Sequence, residues 1–298
     1  MTTTDAAISR SEIMSAAGTI EPLPASISRL LQLMADENFD VGEIVETLGH
    51  DPTLAGDVLG RANSMASGAR SHIADLRQAT ARIGAREIVS IAMRRAMQSR
   101  FAVELPPYGL DAQHLWEHSI TASIAADHIR KRAGVPVAPM LATTALIHDV
   151  GKLVIGRCIP GNAVNLLTDA ATREGLPLHE AERKVLGIDH AEIGGVVARS
   201  WGLPISVQVA MTQHHEPERA DTFTSALALT DLIAHSASDY RAASEAGQIP
   251  GDDPIGAALP FRPHADRELE ACQIPAAAID TIVVDVARET TEILADYR

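Results

Sequence analysis

Aromatic residues and cysteines are scarce in this chain of 298 residues. Phe, Trp and Tyr make up only 3% of it although 46% is hydrophobic, and Ala and Leu stand in their place. That balance favours helices packed through small residues over β-structure, where aromatic and β-branched residues are enriched. The two cysteines, Cys158 and Cys272, lie far apart and outside any CxxC spacing. We therefore predict neither a disulfide nor a structural zinc site.

Positive charge is also in short supply. Lys and Arg number 25 against 39 Asp and Glu, which gives a net charge of −14. This balance argues against nucleic acid as the main partner, because affinity for phosphate backbones comes from Lys and Arg. A small anionic ligand stays possible if a metal ion inverts the local field. The N-terminal MTTTDAAISRSE lacks the apolar core of a signal peptide, and no apolar stretch is long enough to span a membrane. We expect a cytoplasmic protein.

Helical periodicity dominates the sequence, and no segment alternates with period two for long enough to predict a strand. Acidic residues stand where helices should begin, at Asp40, Asp51, Asp75 and Asp111. The stretch LPPYGLDAQ interrupts the pattern with two prolines and a glycine, and is the best candidate for an internal boundary. The predicted fold class is all-α.

Histidines and aspartates recur on or beside the predicted helices in an order that suggests a metal site. The candidate ligands are His118, His148, Asp149, His190, His214, His215 and Asp231. Imidazole and carboxylate suit Zn, Fe, Mn, Co or Ni, and a carboxylate can bridge two ions. Adjacent residues point about 100° apart on a helix, so the HD and HH doublets can converge only near a helix end or a tight crossing. Gly151 favours such a break, and Lys152 lies where its ammonium could meet a metal-bound phosphate.

Other interpretations of these residues stay open. A lone histidine is more often a hydrogen-bonded core or surface group, and we assign His50, His72, His128, His179, His235 and His264 to that class. Asp189 is first an N-cap, and HHEP could be a helix end whose histidines interact with the helix dipole. His114, four residues before His118, could be a further ligand or a group that supports one.

The motifs LIHDVGK, IDHAEIGGVVARSWGLP and TQHHEP resemble the HDOD family, the HD-related output domain of bacterial signalling proteins. The N-terminal half agrees, with LPASISRLLQLMAD, DPTLAGDVLGRANS and IADLRQATARIGAREIVSIAM, and the resemblance covers roughly residues 20–235. It implies an HD-type helical core with an N-terminal helical lobe. The predicted divisions are a polar leader at 1–19, the lobe at 20–105, the core at 106–240 and a C-terminal helical extension at 241–298, which could pack on the core or bind a partner.

The resemblance also implies roles for individual residues. The seven candidate ligands would hold a divalent transition metal (two ions of Fe, Mn or Zn), with Asp149 bridging and acting catalytically beside Lys152, the phosphate contact. The chain departs from the related HD-GYP enzymes at two places. PERADTFTSA follows HHE in place of the GYP motif, which argues against an orthodox cyclic-di-GMP hydrolase. His114 stands where some of those enzymes have a glutamate ligand, which argues against a third metal ion.

Two functions follow from this resemblance. One is a regulatory HDOD module that retains its metal site and binds a protein partner of a signalling pathway or a small phosphorylated ligand. The other is a metal-dependent phosphohydrolase or phosphodiesterase acting on a nucleotide or cyclic dinucleotide. Whether the chain is an enzyme, and its oligomeric state, stay open at this point.

Overall fold

A computed structural model describes residues 9–35, 40–64, 72–160, 163–216, 220–247 and 265–295. Within these ranges the chain is helical and contains no β-strand, only an isolated bridge between Leu105 and Leu110. The all-α prediction is confirmed. None of the described helices is both long and apolar enough to cross a bilayer.

The first six helices run from the N-terminus to the predicted internal boundary. They are α1 (Arg10–Gly18), α2 (Ala25–Ala35), α3 (Val41–Gly49), α4 (Pro52–Ser64), α5 (Leu76–Ile83) and α6 (Ala85–Phe101). The segment after α6 forms a short 3-10 turn at Pro106–Tyr108. Asp40 and Asp75 cap α3 and α5 as predicted, by accepting hydrogen bonds from the backbone N–H of Gly42 and Gln78.

The remaining helices follow this turn. They are α7 (His114–Arg132), α8 (Leu141–Ile147), α9 (Val150–Cys158), α10 (Leu166–Glu174), α11 (Leu178–Leu186), α12 (His190–Ser200), α13 (Ile205–Gln213), α14 (Thr222–Glu245), α15 (Asp266–Cys272) and α16 (Ile279–Ala295). Helix α14 continues through the predicted division at residue 240.

Helix α1 lies in the segment predicted as a polar leader. Ser9 and Glu12 form a capping box at its start, in which each side chain accepts from the other residue's backbone N–H. Ile13 and Ala17 are fully buried where α1 packs on α9 and α12. The hydrophobic periodicity of this segment is short, because the helix has nine residues and buries only Ile13 and Ala17.

The core is organised around α7, which packs against α8, α14 and α16. Helix α12 lies against both α9 and α13. The N-terminal lobe joins this core through α6, which contacts α7 and α8. Candidate ligands on distant parts of the chain are thereby brought into a common interior.

The C-terminal helices pack back onto the core. Five apolar residues in the described part of this segment are buried: Ile274, Ile279, Ile282, Val283 and Val286. Helix α15 contacts α14, and α16 contacts both α14 and α7. Of the two roles considered for this segment, the structure shows core packing.

Candidate metal centre

All seven candidate ligands lie in one cluster inside the helical core. His118 lies in the second turn of α7 and Asp231 in the interior of α14, while the others stand at helix ends. His148 and Asp149 occupy the break between α8 and α9, His190 is the first residue of α12, and the pair His214 and His215 follows the last turn of α13.

The break between α8 and α9 lets adjacent side chains serve one site. Helix α8 ends at Ile147 and α9 begins at Val150, so the break falls on His148 and Asp149 themselves, two residues before Gly151. Gly151 does not form the break but allows two helices to pack closely. A Cβ at this position would overlap the carbonyl oxygen of His190 and lie 2.8 Å from its carbonyl carbon. The missing side chain allows α9 to approach the start of α12.

One half of the cluster gathers around Asp231. The Nε2 atom of His118 lies 3.1 Å from Asp231 Oδ1, 3.5 Å from Asp149 Oδ2 and 3.4 Å from His148 Nε2. His148 Nε2 lies 3.5 Å from Asp231 Oδ1 and 3.6 Å from Asp149 Oδ1. His148 and Asp149 are almost completely buried. Two imidazoles and two carboxylates therefore converge on a small volume.

The other half consists of His190, His214 and His215, whose ligand atoms lie within 4.8 Å of one another. The Nε2 atoms of His190 and His215 are 2.9 Å apart. His190 Nε2 is also 3.2 Å from Asp149 Oδ1. Asp149 thus stands between the two halves, with Oδ1 close to His190 and Oδ2 close to His118.

Hydrogen bonds at Nδ1 turn the Nε2 atoms inward. His148 donates from Nδ1 to the carbonyl oxygen of Ala145 at 2.7 Å, and His214 donates to that of Met211 at 2.8 Å. His190 donates from Nδ1 to Glu182 Oε2, also at 2.7 Å. A neutral histidine with its proton on Nδ1 has a lone pair on Nε2.

Among the described residues, the ring nitrogens that face these atoms belong to the cluster itself: His118 Nε2 lies 3.4 Å from His148 Nε2, and His215 Nε2 lies 2.9 Å from His190 Nε2. His148 Nε2 and His190 Nε2 face carboxylate oxygens, and His214 Nε2 is buried with no hydrogen-bond partner within the described part of the chain. Lone pairs that face one another in a buried space require a proton or a cation between them. Histidines fixed at Nδ1 by a carbonyl or carboxylate are also the usual form of metal ligands. The donor set fits divalent transition metals.

The charges in the cluster follow from burial and from these contacts. Burial and the proximity of His235 lower the pKa of His118 to about 4, and burial with neighbouring His148 lowers that of His214 to about 3. Burial also opposes protonation of His190, but the Glu182 carboxylate outweighs it and raises the pKa to about 9. Despite burial, Lys152 and His148 hold the pKa of Asp149 well below its ordinary value. At neutral pH the cluster therefore combines ionised carboxylates and the neutral imidazoles of His118 and His214 with a protonated His190.

Lys152 lies within the cluster and contacts its central carboxylate. Its Nζ is 2.6 Å from Asp149 Oδ2, and the side chain is only 9% exposed. Burial would lower the pKa of this ammonium, but Asp149 outweighs that effect and raises it. In this arrangement Lys152 holds one oxygen of Asp149, and its role as a phosphate contact stays a prediction.

Three residues of the site were not among the predicted ligands. Glu182 is fully buried and accepts from both the backbone N–H and Nδ1 of His190, each at 2.7 Å. His179 stacks on His215 with ring centroids 4.2 Å apart, and His235 Nε2 lies 3.3 Å from Asp231 Oδ1. The only sequence signal for His235 is its position one helical turn after Asp231.

The other histidines lie away from the cluster or beyond what the structure describes. His114 is 63% exposed and its Nδ1 contacts Asp111 at 2.8 Å, so the possible extra ligand is not part of the site. His50 and His72 are exposed, and His128 is buried in contact with Glu289 and Arg132. His264 and the segment 217–219 after the HH doublet lie outside the described residues.

Replacing Glu182 by Gln is expected to weaken metal binding at the half of the site that contains His190. The amide keeps the shape but removes the negative charge that fixes the Nδ1 proton. Loss of such a supporting group costs roughly 10–100-fold in metal affinity. Competition titration with a metal chelator measures this, and Glu180→Gln, on the exposed side of the same helix, is the matched control. Equal affinity in both variants would contradict the role of Glu182.

The sequence of this chain is similar to that of known proteins. The HDOD domain family matches residues 20–217. A relative from Treponema pallidum, described only as an uncharacterized protein, is 26% identical over 232 residues, which is 73% of this chain and 43% of the relative. The chain thus spans less than half the length of that relative.

Solved structures share the fold. An HDOD domain protein of unknown function from Geobacter sulfurreducens has a TM-score of 0.65 at 21% identity, covering 95% of this chain and 98% of its own. A candidate phosphohydrolase from Shewanella amazonensis has a TM-score of 0.65 at 21% identity, with coverage of 94% and 97%. A candidate signal transduction protein from Marinobacter aquaeolei has a TM-score of 0.67 at 19% identity, covering 92% of this chain and 58% of its own. With the family match over most of its length, the chain belongs to the HDOD family.

Proposed function

We propose that this chain is a regulatory module of a signal-transduction pathway whose HD site binds two divalent transition-metal ions. The observation that carries the proposal is the position of Asp149 between the two histidine groups. Oδ2 lies 3.5 Å from His118 Nε2, and Oδ1 lies 3.2 Å from His190 Nε2. A carboxylate that faces two sets of imidazoles with different oxygens is suited to bridge two ions.

Each ion would have its own ligands on either side of this carboxylate. One ion would be held by His118, His148, Asp149 and Asp231, and the other by Asp149, His190, His214 and His215. Fe, Mn and Zn all accept imidazole and carboxylate ligands. The proposed ligands are imidazoles and carboxylates, with no thiolate among them, and they suit all three metals.

A small phosphorylated ligand or a protein partner would be the input or output of the module. The cluster by itself is anionic, because the carboxylates of Asp149, Asp231 and Glu182 outnumber the cations of Lys152 and His190. Two divalent ions would reverse that sign and attract an anion. The family resemblance and the sequence PERADTFTSA in place of a GYP motif support regulation over orthodox cyclic-di-GMP hydrolysis.

A second candidate function is metal-dependent hydrolysis of a phosphodiester or nucleotide. It is favoured by the ammonium of Lys152, which lies next to the bridging carboxylate. Bound metal ions would supply a nucleophilic water at neutral pH and charge near a phosphoryl group. Asp149 would position the ions, and Lys152 would stabilise negative charge that develops on the phosphate.

One experiment separates the two functions. The protein is reconstituted with Mn, Fe or Zn and incubated with bis(p-nitrophenyl) phosphate, cyclic di-GMP and mononucleotides, with product release and melting temperature followed in parallel. The regulatory proposal predicts a shift in melting temperature by at least one ligand or partner without turnover. Sustained turnover that disappears in Asp149→Ala would contradict it and support the hydrolase.

A further inference from the structure

His235 faces the candidate metal centre from its more exposed side. It lies one turn after Asp231 on α14, and its Nε2 is 3.3 Å from Asp231 Oδ1. Its ring centroid is 4.6 Å from that of His118. The side chain is 40% exposed, whereas those of His148 and Asp149 are at 1% or below. His235 thus stands between the buried ligands and solvent.

The surroundings of Asp231 Oδ1 are crowded with ring nitrogens. His118 Nε2 lies 3.1 Å from this oxygen and His148 Nε2 3.5 Å from it, in addition to His235. The Nδ1 proton of His148 is used by the Ala145 carbonyl, so neutral His148 cannot donate from Nε2. The ligand atoms of His118, Asp231 and His235 all fall within 4.8 Å of one another. These atoms are suited to bind a cation as well as to form a hydrogen-bond network.

We propose that His235 is a further ligand of the ion held by His118, His148, Asp149 and Asp231, and that it closes the solvent-facing position of that ion. The inference rests on the proposed metal binding. Catalytic metal sites keep a position open for water or substrate, whereas structural sites are closed. With the imidazole of His235 as a ligand, the site would be closed. A phosphorylated ligand would then bind the ion only by displacing His235.

The alternative is that His235 only donates a hydrogen bond to Asp231. His235→Gln distinguishes the two roles, because the amide can still donate a hydrogen bond but lacks the imidazole nitrogen. His114→Gln is the control, since His114 lies on α7 and is exposed away from the cluster. Melting of the metal-free variants, expected to match the wild type, establishes that each is folded.

The test uses the full chain reconstituted with Co²⁺, whose visible absorption reports the coordination number. For His235→Gln we expect altered absorption bands and weaker binding of one of the two ions, by about tenfold or more, as for the loss of a group at a metal site. Inorganic phosphate should shift the spectrum of this variant at lower concentrations than it does in the wild type. His114→Gln should match the wild type in every respect.

The outcomes separate this inference from the proposal on which it rests. If wild type and His235→Gln bind both ions with the same spectrum, the same affinity and the same response to phosphate, His235 is not a ligand and the inference is overturned. If the wild type itself binds no Co²⁺, the proposed metal function is contradicted, and the inference with it.

Discussion

Replacing Asp149 by Ala is expected to abolish metal binding at both positions and to destabilise the metal-free protein. The first effect follows because Asp149, among the residues that the structure describes, is the one carboxylate whose two oxygens face both histidine groups. The second follows because the Lys152 ammonium, buried 2.6 Å from Asp149, would lose its partner. Breaking a buried ion pair in this way costs roughly 3–5 kcal/mol. Metal analysis and urea unfolding of the chelated protein measure the two effects.

Two controls separate these effects. Asp239→Ala changes an exposed carboxylate two turns beyond Asp231 on α14 and should alter neither metal content nor stability. The double variant Asp149→Ala/Lys152→Met removes both buried charges, so it should recover much of the stability while remaining without metal. Retention of both ions in Asp149→Ala would show that the carboxylate does not bridge them.

Gly151→Ala should loosen the packing of α9 on α12 and weaken the metal site at the same time. The new Cβ would overlap the His190 carbonyl oxygen and lie 3.0 Å from the backbone nitrogen of Gly194. Because these are backbone atoms, the two helices must separate. Such overpacking costs about 1–3 kcal/mol or more in the free energy of unfolding. The same shift would increase the distance between His190 and Asp149, so metal affinity should fall.

Gly60→Ala is the matched control for this substitution. Gly60 is also a helical glycine, but a Cβ there would meet nothing within 4 Å. Since alanine favours helix by roughly 0.5–1 kcal/mol over glycine, this variant should be slightly more stable than the wild type. A Gly151→Ala protein of wild-type stability and metal affinity would contradict the close approach of α9 and α12.

The fold class and the grouping of the candidate ligands could be predicted from the sequence. Helical periodicity and acidic N-caps are local signals, and Asp40 and Asp75 act as the sequence predicts. The HD and HH doublets indicated helix ends, where the structure places them. The caps and helix ends can be predicted because these patterns depend on neighbouring residues alone, whereas the grouping of the ligands follows from the order of the motifs and the family resemblance. That the seven residues bind metal stays a prediction.

The supporting residues could not be predicted in the same way. Glu182 looks like one of several acidic residues on an amphipathic helix, and only the packing of α11 beside α12 shows that it holds His190. His235 was assigned to the ordinary histidines because a residue one turn after Asp231 faces the site only if α14 presents that face to α7. Gly151 was linked to the helix break, whereas its role depends on how closely a distant helix approaches.

The metal content of the protein directly tests the proposed site for two metal ions. Untagged protein, purified without chelator, is analysed by inductively coupled plasma mass spectrometry beside the variant His148→Ala/Asp149→Ala. We expect about two transition-metal ions per chain in the wild type and none in the variant. Wild-type protein that holds no metal, even after anaerobic reconstitution with Mn, Fe or Zn, would contradict it.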